Sequence, residues 1–196
     1  MQFLRKILFC FIVEFMKKNL LLIFIIGWFA LGIFGQTDKR IEEIKKIYLE
    51  TNKKVADCQE NGEYSSVFLS ELTVNKNNGS YPAVGIYNSI FKFYYTYGDR
   101  EKNPYPNRLL KIEIETKRSA NIEKFEYLFN LKGQLIFYFE KKEVVEKRLY
   151  FVDEKPIRML IGDKQFNIEK EYRKKVNSIF TEKKRLLEIF NNSLEF

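Results

Sequence analysis

The sequence predicts an α+β domain: an N-terminal helix, an antiparallel meander of about six or seven strands, and a C-terminal helix. Both helices are expected on one face of a curved sheet. Three observations lead there. Residues 41–58 repeat apolar side chains at helical spacing, residues 64–161 switch to alternation, and residues 168–190 return to helical spacing.

Thr37 or Asp38 can cap the first helix. Ile41, Ile44, Tyr48, Thr51, Val55 and Cys58 then form one stripe, and Glu60-Asn61-Gly62 stops it. In the middle region Phe91, Phe93, Tyr95 and Tyr97 alternate with Lys92, Tyr94 and Thr96. Leu110, Ile112 and Ile114 alternate with Lys111, Glu113 and Glu115. The same pattern continues through Phe125–Phe129, Leu135–Phe139, Val145–Phe151 and Ile157–Ile161. One polar face implies antiparallel strands with one side solvated. The links, such as Asn77-Asn78-Gly79-Ser80 and Asn130-Leu131-Lys132-Gly133, have no room for a crossover helix. Residues 127–136 match residues 149–158 weakly at one offset, which fits successive hairpins of a single meander. Ile168, Tyr172, Val176, Ile179, Leu186 and Phe190 mark the core side of the last helix. An outer-membrane barrel is rejected, because residues 38–58 and the last thirty residues read as helix.

The first 35 residues differ from the rest. Met16-Lys17-Lys18-Asn19 is followed by sixteen uncharged residues, Leu20–Gly35, and then by polar Gln36-Thr37-Asp38. A basic start, an apolar run and a small residue before the polar switch describe a signal peptide over 1–35, with a single domain over 36–196. The apolar run is short for a span, which needs about 20 residues. The only membrane association expected is through an uncleaved leader. Met16 is a possible true start, which makes 1–15 an extension. The Met-Lys-Lys start resembles bacterial export signals, so the periplasm or cell surface of a bacterium is the expected location. Mass spectrometry of the exported protein should then find Gln36 or a near neighbour at the N-terminus; an intact Met1 or Met16 in membranes would mark an anchor instead. Losing the leader takes Arg5, Lys6, Lys17 and Lys18 against Glu14, so the charge drops from +8 to +5. It also leaves Cys58 as the one cysteine, expected to be buried.

The chain has no histidine, which excludes Ser-His-Asp and Cys-His catalysis and imidazole metal sites. No calcium, nucleotide or dinucleotide motif is present, so no cofactor and no metal are expected. Ser89-Ile90-Phe91-Lys92 fits the S-x-x-K pattern, but in a strand its serine and lysine point to opposite faces. Glu113 and Glu115 share a strand face about 7 Å apart, a spacing compatible with glycoside hydrolysis. Lys111 and Lys117 flank them there, as in a solvated charge ladder. Lysines mixed with glutamates argue against nucleic acid as a partner.

Aromatic density is the distinctive feature. Tyr94, Tyr95, Tyr97, Arg100 and Tyr105 are the candidate ligand-binding residues, on a sheet face and the Asp99–Asn107 loop, where stacking can hold a peptide, a glycan or a protein partner. The functional expectation is an exported, non-enzymatic binding protein. The alternatives are a small hydrolase using carboxylates without histidine, or a carrier of an apolar ligand between sheet and helices.

Overall fold

The computed structural model describes residues 37–82, 85–98, 101–102, 106–166 and 170–194. The leader with Met16, and Arg100, Tyr105 and Ile168, lie outside the described residues. Helix α1 covers residues 37–61. Ile44, Thr51, Val55 and Cys58 are buried along it, as their spacing requires. It ends at Gly62, whose φ of 56° is the left-handed conformation that closes a helix and favours glycine. A 3-10 turn, Gly62–Tyr64, leads into the sheet.

Among the described residues the sheet is antiparallel throughout and has nine strands. They are β1 (Phe68–Val74), β2 (Ser80–Tyr81), β3 (Gly85–Tyr97), β4 (Pro106–Arg118), β5 (Asn121–Phe129), β6 (Leu135–Lys142), β7 (Val145–Val152), β8 (Lys155–Ile161) and β9 (Lys164–Phe166). The order is β1-β3-β4-β5-β6-β7-β8-β9, with β2 paired to β3. The meander is as expected; the extra strands are short edge pieces. Strands β2 and β9 have two and three residues, too few for alternation to register. The weak repeat corresponds to the hairpins β5–β6 and β7–β8. Their register shifts fall at Leu128/Phe129 and Tyr150/Phe151, the same place in each copy.

Helix α2 (Lys170–Asn192) covers one side of this sheet. Its Ile179, Leu186 and Phe190 share a buried cluster with Phe93, Ile112, Tyr127, Tyr138, Leu149 and Met159. The Phe190 ring stacks on Phe93 at 5.5 Å between centroids. Glu140, 2% exposed, accepts a hydrogen bond from the Tyr138 hydroxyl at 3.0 Å and is paired with Lys175 of α2. Burial raises its pKa, but the Lys175 contact outweighs that and holds the carboxyl below its usual range. The pair therefore stabilises the fold fully above the ordinary carboxylate pKa, and its contribution is lost as pH falls through the lowered value.

The expectation that both helices share one face is corrected. Residues 43–61 of α1 pack on the opposite side from α2. Val55 and Cys58 meet Tyr94 and Leu110, and the Tyr48 ring meets Phe137 at 5.2 Å. Tyr94 and Phe137 neighbour Phe93 and Tyr138, which belong to the α2 cluster, so they point the other way. The physical reason is that the central strands are apolar on both faces. Tyr94, Leu128, Phe137 and Tyr150 are as buried as their α2-side neighbours. A sheet covered on two sides loses clean alternation where both helices lie.

The sheet, α2 and the part of α1 from Glu43 onward belong to one compact unit. Among the described residues, no helix is long and apolar enough to cross a membrane.

Candidate binding surface

Helix α1 covers only part of its side of the sheet. Strand register shows what it leaves open. Tyr94, Lys111, Leu128, Phe137 and Tyr150 form one row across β3 to β7, and all are buried. The next row on the same side is Lys92, Glu113, Glu126, Phe139 and Arg148, and all of it reaches solvent in part. A further row contains Ile90, Glu115, Lys124, Lys141 and Glu146.

A polar network joins the covered and open rows. Lys111 is 2% exposed, yet its ammonium lies 2.7 Å from Glu113 and 2.9 Å from Glu126. It also donates to Asn52 Oδ1 of α1 at 2.8 Å and lies over the Tyr48 ring. The Tyr48 hydroxyl donates to Glu126 at 2.9 Å, and Tyr94 donates to Glu113 at 3.3 Å while accepting from Gln59. Burial, reinforced by the nearby carboxylates, pushes both phenols above their ordinary pKa, so they stay protonated donors. Burial alone would lower the Lys111 pKa, but Glu126 and Glu113 more than offset it and hold the ammonium charged. One buried cation thus fixes two carboxylates at the edge of the open surface.

Two clefts of about 270 Å³ each lie along that surface, both open to solvent. One is lined by Lys92, Glu113, Glu115, Lys124 and Glu126, with Ile90, Ile114 and Phe125. The other is lined by Ile44, Lys45 and Tyr48 of α1 and by Phe137, Phe139, Glu146, Arg148 and Tyr150. Opposite charges pair here. Glu115 pairs with Lys124 at 3.2 Å, and Glu146 pairs with Lys141 at 2.9 Å and Arg148 at 3.4 Å.

The candidate tyrosines do not form one surface. Tyr94 is fully buried under α1, and Tyr95, 7% exposed, faces α2. Tyr97 is half-buried on the α2 side, edge-on to Phe68 at 4.9 Å. Glu113 and Glu115 do share a cleft, but the ladder around them is only partly solvated, because Lys111 is buried. Ser89 is fully buried and bonded to Thr116 at 2.7 Å, while Lys92 lines the cleft on the other face. Cys58 is a buried free thiol, pushed up in pKa by that burial. Phe139 and Arg148 carry no sequence signal of their own, and Lys111 reads in the sequence as part of a solvated ladder. Their placement follows from where α1 crosses the sheet, for which the chain carries no local signal.

Comparison with protein-family models, with curated proteins and with solved structures finds no match.

Proposed function

We propose that this chain is an exported, non-enzymatic binding protein whose recognition surface is the open half of the α1 side of the sheet. One observation carries the reading. The sheet has a helix on each side, but α1 leaves part of its own side open, and the two clefts lie there, with half-exposed aromatic and charged side chains. Export rests on the leader pattern of residues 1–35. The hydrolase alternative is less well supported, because Glu113 is bonded to Lys111 and Glu115 to Lys124. A general acid needs a carboxyl free to hold and deliver a proton. The apolar-carrier alternative needs an enclosed interior, and the two clefts are open.

A blocking experiment tests the surface. The domain is screened against a displayed random-peptide library and a printed glycan array. Cysteine variants Lys124→Cys and Lys174→Cys are then labelled with a maleimide polymer. Lys124 lines one of the clefts and Lys174 is exposed on α2, while buried Cys58 resists labelling. Binders are expected to be lost with the Lys124 label and kept with the Lys174 label. No binder in either screen, or loss with the Lys174 label alone, would contradict the reading.

A further inference from the structure

We infer that Phe139, with Glu126 and Arg148 on either side, is a platform for a neutral saccharide chain; this names the ligand class of the surface just proposed and rests on that reading. A pyranose ring has an apolar C–H face and a rim of hydroxyls that both donate and accept. It therefore fits an aromatic ring flanked by an acceptor and a donor. Phe139 is half-buried, and its directly opposed neighbours are Glu126 on β5 and Arg148 on β7. Opposed side chains in a sheet lie about 5 Å apart, so both reach the rim of a ring stacked on Phe139.

Three further features narrow the class. First, the flanking groups are held in place: Lys111 and Tyr48 grip Glu126, and Glu146 grips Arg148. Pre-set polar groups cost little to order on binding. Second, the charges compensate one another. Lys111 sits between Glu113 and Glu126, and Lys141 and Arg148 share Glu146, so no single-sign field favours a polyanion or polycation. Third, the platform lies on β5, β6 and β7, inside the sheet. An extended peptide recognised by strand addition needs an edge, which here is β1 or β9. The row from Arg148 to Lys92 crosses five strands, about 19 Å at ordinary strand spacing, which is room for more than one ring.

The test uses the printed glycan array, followed by calorimetry with the best soluble oligosaccharide from it. The variants are Phe139→Ala, Phe139→Trp and Arg148→Ala, each checked for folding by thermal melting. The wild type is expected to bind a neutral glycan. Phe139→Ala and Arg148→Ala should weaken it about tenfold or more, and Phe139→Trp should keep it. If Phe139→Ala does not fold, rim-exposed Arg148→Ala decides. No glycan bound, or binding unchanged in the folded Ala variants, overturns the inference. Peptides that bind and are blocked by the Lys124 label, with no glycan bound, would overturn the saccharide class while leaving the binding surface standing.

Discussion

Replacing Phe190 with alanine is expected to destabilise the domain by about 4 kcal/mol, within the range for removing a buried aromatic ring. The ring is 5% exposed, stacks on Phe93 at 5.5 Å and lies 5.3 Å from Tyr95. It sits in the last turn of α2, where the helix holds β3, so truncation opens a void that backbone movement closes only in part. In a chain of this size the loss corresponds to a fall in Tm of about 10 °C. Phe190→Leu, which keeps most of the volume, should lose well under half as much. A Phe190→Ala variant within about 1 kcal/mol of wild type by urea unfolding would mean that α2 is not docked as described.

The second large effect is expected at Lys111. Lys111→Met keeps the length of the side chain and removes the charge, leaving Glu113 and Glu126 beside each other with no cation between them. Breaking a buried pair typically costs about 3–5 kcal/mol. The two carboxylates keep 28% and 20% exposure, so water relieves part of the cost and about 3 kcal/mol is expected. Adding Glu113→Gln and Glu126→Gln should recover part of it, because the uncompensated charges are then gone. The pH dependence has a definite sign. The folded-state pKa of Lys111 is raised above the ordinary 10.5, so its contribution is fully present below that value and is lost as pH rises through the raised one. Chemical unfolding across alkaline pH should show this loss in the wild type and not in Lys111→Met. A stable Lys111→Met variant would contradict the network.

Local structure was legible because it follows from period. The stripe Ile41 to Cys58 marks α1, and alternation in Phe91–Tyr97 and Leu110–Ile114 marks β3 and β4. What escaped was tertiary. A lysine at an alternating strand position reads as solvent-facing, since lysine is rarely buried without a partner. Lys111 is buried because Asn52 and Tyr48 of α1 arrive above it and two carboxylates flank it. Tyr94 and Tyr95 read as one aromatic patch because they are adjacent, but neighbours in a strand face opposite sides. Here each side has its own helix. The candidate surface was half-visible: Glu113 was singled out, whereas Phe139 and Arg148, its companions across the sheet, become neighbours only through register.

The most direct measurement is a two-dimensional NMR titration of the isotopically labelled domain with a ligand selected from the peptide or glycan screen. The largest shifts are expected at Glu113, Glu126, Phe139 and Arg148, with the exposed side of α2 silent. Shifts centred on α2 or on the β8–β9 edge, with the open rows of β3 to β7 unmoved, would contradict a binding surface beside α1.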